Sequence, residues 1–243
     1  LCLRICNTNI RMHANDTNDF VHIFAPCHTI LYTSTMEFII AIALVIFSII
    51  LHEVMHGYAA YWLGDLTAKY AGRLTLNPLP HIDLMGSVLL PGILALTGSS
   101  FLIGWAKPVP YNPYNVRYGK WGEALVAFAG PATNILIAIL AGFTLRFFGG
   151  GFSEAFVSIL ITLVFANLSL AILNLIPIPP LDGSKILAAL LPFSLMVTYR
   201  RLEAFTYAMG PVGLIGVLLL FVYVFSAPAF AFVRFLFSLI VGV

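Results

Sequence analysis

Two histidines and a glutamate interrupt a long apolar run near the start of the chain. The sequence His52-Glu53-Val54-Met55-His56 follows residues 38–50, almost all of which are apolar. Helix positions four apart lie on one face, so His52 and His56 can offer their imidazoles to one metal ion. Titratable groups inside a membrane helix cost roughly several kcal/mol and mark functional sites. This setting favours a metal centre over a chance match on a soluble surface helix.

Composition places the chain among proteins that cross the membrane several times. Apolar residues make up 60% of it and charged residues 9%, with a mean hydropathy of +0.99. Soluble domains are about 45–50% apolar and about 25% charged. The net charge of +2 gives no indication of a nucleic-acid partner. Cys2, Cys6 and Cys27 all precede Met36, so the apolar body contains no disulfide and no thiolate ligand.

Residues 1–35 differ from the rest of the chain because they are mixed, polar in the middle and without periodicity. Their cysteines and histidines match no zinc module, and the segment lacks the pattern of an ordinary signal peptide. Met36 stands directly before the first apolar segment. We therefore expect 1–35 to be a disordered or non-native extension, and 36–243 to be the functional membrane domain.

Apolar segments of membrane-spanning length recur along this domain. They are residues 37–63, 84–105, 123–148, 152–176, 207–226 and the shorter 229–243. Pro91-Gly92 and Gly98-Ser99-Ser100 interrupt the second segment, which reads as a broken span or a re-entrant hairpin. The sequence Arg73-Leu74-Thr75-Leu76 is compatible with a short strand. We predict an all-α polytopic bundle of about five to six transmembrane segments, with a short β or re-entrant element after the first helix.

A third metal ligand is available where the 152–176 segment ends. Pro177, Pro179 and Pro180 cannot continue a helix, and Asp182 follows them. Irregular backbone at membrane depth is tolerated where it lines a wet cavity. An aspartate that merely caps the next helix is the common alternative. That alternative is weakened by an intramembrane histidine pair that lacks a third ligand.

Taken together, the motifs resemble the site-2 protease family of intramembrane zinc metalloproteases. They are His52-Glu53-x-x-His56, Gly130-Pro131-x-x-Asn134 and Asn174-x-x-Pro177-x-Pro179-x-Leu181-Asp182-Gly183. The resemblance covers most of residues 36–243 and is to the compact prokaryotic members.

The resemblance implies a role for each matching residue. His52, His56 and Asp182 would hold one zinc ion per chain, and Glu53 would act as the base. Asn174 is a candidate for orienting the substrate carbonyl or the oxyanion, and Asn134 for supporting the site or the bound peptide. Asn77-Pro78-x-x-His81 also resembles a segment of the family, without a derivable role for His81.

These assignments constrain the topology. If His52 and Asp182 meet at one depth, the first span and the 152–176 span must run parallel, and 84–105 must enter and leave on one side. The basic residues nearer the metal are Lys107, Arg117, Lys120, Lys185, Arg200 and Arg201. The positive-inside rule makes their side cytoplasmic. The expected partners are the lipid bilayer and a transmembrane protein substrate, whose helix must unwind locally before its peptide bond is reached.

Two other readings use the same residues. A membrane transporter for metal ions or protons also contains broken helices and buried carboxylates, but it would more commonly show paired halves, and none is evident. A catalytically inactive relative that only binds membrane helices is disfavoured, because Glu53 and all three candidate ligands are present.

Overall fold

The computed structural model describes residues 35–89, 92, 93, 96 and 105–242, and this part of the chain is mostly helical. In chain order the helices are α1 (Thr35–Trp62), α2 (Thr67–Tyr70), α3 (Lys120–Phe148), α4 (Glu154–Leu175), α5 (Asp182–Leu190), α6 (Phe193–Ala208), α7 (Pro211–Leu220) and α8 (Ser226–Val241). There are also 3₁₀ turns at Leu79–His81 and Gly149–Gly151, and π-helical segments at Leu84–Leu89 and Phe221–Phe225. The prediction for residues 1–35 lies outside the described residues, apart from Thr35.

Four segments of the described chain are long and apolar enough to cross a membrane. They are Ile39–Trp62, Lys120–Gly151, Glu154–Leu175 and Tyr223–Val241. The predicted count of five to six is therefore not confirmed, and the 207–226 segment is not one helix. Gly210 has a left-handed φ of +56° and Pro211 has no N–H to donate, so one helix ends there and another begins.

The strand predicted at residues 73–76 is not found, and the described residues contain no β-strand. Turns and bends occupy this part of the chain. The Thr75 hydroxyl accepts the N–H of Asn77 at 3.2 Å, and the Asn77 side chain accepts the N–H of Leu79 at 3.1 Å. Such short-range side-chain bonds offer the backbone an alternative to a sheet ladder.

Helix α1 ends in a Schellman motif that directs the following chain. Gly64, at φ +106°, donates its N–H to Tyr61, and Asp65 donates its N–H to Ala60. The Asp65 carboxylate then accepts bonds from Thr67, Asn112 and Asn115. Burial alone would raise the pKa of Asp65, but these hydrogen bonds lower it below its ordinary value. The loop before α3 is thereby fixed to the end of α1.

Helices α1 and α4 run parallel, as the sequence analysis requires. Ser48 of α1 contacts Asn167 of α4, and one turn later His52 contacts Asp182, which follows α4. Helix α3 lies between them in the chain and runs in the opposite direction, and the short Gly149–Gly151 turn joins it to α4. A single intervening crossing thus brings both parts of the candidate site to the same depth.

An apolar core holds α3, α4 and α8 together. Its buried members are Ala138, Ala141, Leu145, Leu160, Val164, Leu168, Val233 and Phe237. Gly142 of α3 allows close approach here, since a Cβ at this position would clash with the Ile240 side chain. This core leaves the neighbouring part of α1, α3 and α4 to a cluster of buried polar groups.

The two ends of the broken 84–105 segment lie side by side. Trp105 donates its N–H to the Gly86 carbonyl at 3.2 Å, and the Ser87 hydroxyl donates to the Trp105 carbonyl at 2.9 Å. The predicted breaks at 91–92 and 98–100 fall mainly outside the described residues. A chain that returns to its starting point is what a re-entrant hairpin requires, whereas a full crossing would separate these ends.

Candidate metal centre

Helix α1 presents the two histidines to the interior of the bundle. His52 and His56 are 6% and 8% exposed, and their Nε2 atoms lie 3.0 Å apart. The rings meet edge to face, with centroids 4.6 Å apart. The spacing of four residues has therefore placed both imidazoles on one buried face.

Hydrogen bonds to α3 determine which nitrogen of each ring faces its neighbour. His52 Nδ1 donates to Asn134 Oδ1 at 2.6 Å, and His56 Nδ1 donates to the Val126 carbonyl at 2.7 Å. Because both Nδ1 atoms carry the proton, both Nε2 atoms present a lone pair. Metal-binding histidines are generally held in this way by an acceptor at the other nitrogen.

Asp182 closes the group from the far side. Its Oδ2 lies 3.2 Å from the Nε2 of each histidine, and the residue is 9% exposed. Asp182 begins α5, directly after the proline-rich turn that ends α4. Gly183 lets that turn close tightly, since a Cβ there would clash with the carbonyls of Leu175 and Ile176.

The three ligand atoms fit one zinc ion. They form a triangle with edges of 3.0, 3.2 and 3.2 Å. A tetrahedral zinc ion with bonds of about 2.0–2.1 Å separates its ligand atoms by about 3.3 Å. Two imidazole lone pairs and a carboxylate that converge at this distance repel one another unless a cation lies between them. Three protein ligands also leave a fourth position open, as in catalytic zinc sites.

Gly130 makes room for both rings. A Cβ at this position would lie 2.5 Å from His56 Nε2 and 2.7 Å from His52 Cε1. These separations are far below van der Waals contact, so any side chain at position 130 would displace the ligands. The Gly130-Pro131-x-x-Asn134 motif therefore combines a clearance for the rings with the acceptor for His52.

A relay of buried polar groups continues beyond Asn134. The Asn134 amide donates to Asn167 Oδ1 at 2.8 Å, and the Asn167 amide donates to Ser48 Oγ at 3.0 Å. Ser48 in turn donates to the Leu44 carbonyl at 2.9 Å. The sequence analysis missed Asn167 and Ser48. An asparagine within an apolar span was a usable signal, because such a group needs a partner inside the bilayer.

Glu53 lies beside the histidines but bonds elsewhere. The backbone N–H of Val109 donates to Glu53 Oε2 at 3.0 Å. The described metal-ligand group comprises His52, His56 and Asp182 and does not include Glu53. A carboxylate next to a ligand but outside the ligand set is free to exchange protons.

The other two sequence candidates lie apart from the metal group. The Asn174 amide donates to the Leu170 carbonyl of its own helix at 2.9 Å, and no contact of the described residues joins it to the ligands. His81 is 2% exposed, and its Nε2 donates to the Thr75 carbonyl at 2.9 Å. Of the sequence-predicted residues, the structure thus brings together His52, His56, Asp182 and Asn134.

Comparisons with known proteins identify relatives of this chain. The profile of peptidase family M50 matches residues 150–219, which include Asp182. The chain is 35% identical over 185 residues to the "Putative zinc metalloprotease YwhC" of Bacillus subtilis, covering 72% of this chain and 78% of the relative.

Two mycobacterial proteins with one name are also similar. The "Putative zinc metalloprotease Rip2" of Mycolicibacterium smegmatis is 34% identical over 146 residues, covering 60% of this chain and 55% of the relative. The protein of that name from Mycobacterium tuberculosis is 32% identical over 165 residues, covering 68% and 61%. No solved structure matches the chain significantly.

Proposed function

Because the chain belongs to peptidase family M50, the site-2 proteases, we propose that it cleaves transmembrane segments of membrane proteins within the bilayer. The protein is a zinc metalloprotease, and its apolar helices make it an integral membrane protein. The observation that carries the proposal is the buried convergence of His52, His56 and Asp182 on membrane-depth helices.

Each residue of the site has a distinct task in this reaction. His52, His56 and Asp182 would hold the zinc ion, which when bound would supply Lewis-acid chemistry and lower the pKa of a water molecule to about 7. Glu53 takes the proton from the attacking water and returns it to the leaving amine. Asn134 orients His52, and Asn174 would reach the substrate carbonyl only by turning away from Leu170.

The substrate would be a transmembrane helix of another protein. The carbonyls of a helix are engaged in its own hydrogen bonds. The segment must therefore unwind before the activated water can attack a substrate carbonyl. Substrates with helix-weakening residues near the cut should therefore be preferred. Proteolysis of this kind suits regulated release of membrane-bound proteins.

The site would lie near the cytoplasmic face of a prokaryotic cell membrane. The side nearer the metal carries Lys107, Arg117, Lys120, Lys185, Arg200 and Arg201. An excess of lysine and arginine marks cytoplasmic loops. The contact between Gly86 and Trp105 supports the re-entrant path that this topology needs.

The transporter alternative is not favoured. The similar proteins from Bacillus subtilis and Mycolicibacterium smegmatis are named as putative zinc metalloproteases. Glu53 also lies outside the ligand group, where a general base is needed.

The decisive experiment compares the purified parent with Glu53→Gln. The parent should carry about one zinc ion and cleave a model transmembrane substrate in detergent or liposomes. Glu53→Gln should keep the zinc and lose cleavage by about 10²–10⁴-fold, the range typical of general acid–base groups. Glu154→Gln, at an exposed position in α4, is the matched control and should be fully active. Near-normal cleavage by Glu53→Gln would rule out the mechanism.

A further inference from the structure

A segment without helix or strand contacts the carboxylate of Glu53 from outside the metal group. This segment, residues 105–109, is called the brace here. It ends at Val109, whose N–H donates to Glu53 Oε2 at 3.0 Å. The contact occupies one carboxylate oxygen and leaves the other for proton exchange. The position of the base therefore depends on what fixes the brace.

The brace is hydrogen-bonded along its length to residues that precede it in the chain. Trp105 pairs with Gly86 and Ser87 at the start of the brace. Lys107 donates its N–H to the His81 carbonyl at 2.8 Å. Pro108 has no N–H to satisfy, so the next donor is Val109 on Glu53. The register of these bonds fixes where the Val109 N–H points.

Arg73 also bonds the middle of the brace. Its Nη2 donates to the Lys107 carbonyl at 2.7 Å and to the Pro108 carbonyl at 3.3 Å. The residue is 7% exposed, so this guanidinium is committed to the protein interior. One guanidinium nitrogen that bonds two consecutive carbonyls restrains the peptide directly before Val109.

His81 secures the turn on which the brace rests. Its side chain donates to the Thr75 carbonyl at 2.9 Å, while its own carbonyl accepts from Lys107. The His81 side chain is buried, and its bond to Thr75 joins the two ends of the 75–81 turn.

Close packing also links Leu74 and the brace to α1 beside the base. Gly57, one turn after Glu53, is the point of contact. A Cβ at Gly57 would lie 2.6 Å from Leu74 Cδ2 and 2.9 Å from Val109 Cγ1. The brace therefore contacts α1 both at the carboxylate of Glu53 and at the next turn of the same helix.

We propose that Arg73 and His81 are positioning residues for Glu53, which they orient through the brace. The inference rests on the proposed function, because it takes Glu53 as the base. Neither residue reaches the metal ligands through any described contact. Their loss should therefore lower the rate of the chemical step and leave metal binding intact. A displacement of about 1 Å at a reacting group can cost about 10²-fold in rate.

The test uses variants that separate the hydrogen bond from the bulk of the side chain. His81→Leu removes the bond to Thr75, whereas His81→Gln offers an amide N–H near the position of Nε2. Arg73→Gln replaces the guanidinium with a shorter amide, and Arg201→Gln, at an exposed position of α6, is the matched control. Val109→Pro removes the N–H that reaches Glu53. The readouts are kcat, KM and zinc content of the purified protein with a model transmembrane substrate.

A further readout is independent of activity. A cysteine at position 106 (Ala106→Cys), in a protein whose native cysteines are replaced, reports the exposure of the brace by its rate of thiol labelling. The Ala106 side chain is half-buried in the described structure. His81→Leu and Arg73→Gln should label at least several-fold faster than the parent in zinc-free protein.

We expect His81→Leu, Arg73→Gln and Val109→Pro to lower kcat by about tenfold or more, with zinc content and KM near the parent values. His81→Gln should recover most of the loss, and Arg201→Gln should match the parent. One outcome would overturn the inference and leave the proposed function intact. In that outcome the parent cleaves and Glu53→Gln is inactive, but His81→Leu, Arg73→Gln and Val109→Pro are as active as Arg201→Gln. Loss of zinc from these three variants would show a general structural role and would also overturn the inference. Normal cleavage by Glu53→Gln would overturn both the inference and the proposed role of Glu53 as the base.

Discussion

His52 Nδ1 and Asn134 Oδ1 lie 2.6 Å apart, and this bond joins the histidine-bearing face of α1 to the middle of α3. It gives His52 the tautomer whose Nε2 lone pair faces His56 and Asp182. Asn134 cannot turn over to present its amide instead, because its Nδ2 is committed to Asn167 at 2.8 Å. The orientation of a metal ligand on the first span is thus set from the third and fourth helices.

Asn134→Leu should weaken zinc binding by about 10–100-fold, the usual cost of losing an acceptor behind a metal-binding histidine. The measurement is zinc affinity by competition with a chromophoric chelator. Thr133→Val is the matched control, because the Thr133 hydroxyl donates to the Ala129 carbonyl of its own helix. An affinity equal to that of Thr133→Val would contradict the assigned role.

Gly130→Ala should disrupt the centre although it adds one methyl group. Its Cβ would lie 2.5 Å from His56 Nε2, so one ring or the helix must move. We expect a large loss of bound zinc, measured by metal analysis of the purified protein. Gly216→Ala provides the comparison: it is a helical glycine in α7 with open space where the Cβ would lie. Equal zinc content in the two variants would show that the rings have more room than the structure gives them.

Removal of ligands should weaken metal binding in a graded manner. Asp182→Ala leaves two imidazoles and should bind zinc more weakly than the parent, whereas the His52→Ala/His56→Ala double variant should bind none at this site. Glu154→Ala, an exposed carboxylate at the start of α4, should retain full zinc. Zinc content near one per chain in the double variant would refute the ligand assignment.

The re-entrant path of 84–105 predicts that its two flanks face the same side of the membrane. Tyr70 and Tyr114 flank this segment, and they are 80% and 97% exposed. Single cysteines at these positions (Tyr70→Cys and Tyr114→Cys), in a protein without its native cysteines, should both react with a membrane-impermeant thiol reagent from the cytoplasmic side. Labelling from opposite sides would establish a full crossing.

The convergence of His52, His56 and Asp182 could be predicted from the sequence because each part has a local cause. The spacing of His52 and His56 fixes a shared helix face, and the prolines before Asp182 force the helix to end there. The relay through Asn167 and Ser48 could not be predicted as a unit. Its hydrogen bonds join α1, α3 and α4, and such contacts depend on helix rotation that periodicity does not fix in all-apolar spans.

The limits of the fold prediction have a similar physical origin. Span counting recognised the three helices that carry the site, since length and apolarity decide them. It misread residues 207–226 because hydropathy does not register the break at Gly210-Pro211. The contact between the 105–109 brace and Glu53 could not be predicted either. Its hydrogen bonds involve backbone groups whose partners lie far away in the sequence.

The relay from Ser48 to His52 has a consequence for how the protein is made. Ribosomes complete α1, with both histidines and Glu53, well before Asn134, Asn167 and Asp182 exist. An unfinished or truncated chain therefore inserts its first span with neither an oriented imidazole nor a third ligand. Proteolytic activity therefore requires the later helices. A partly synthesised chain in the membrane is inactive until they have been inserted.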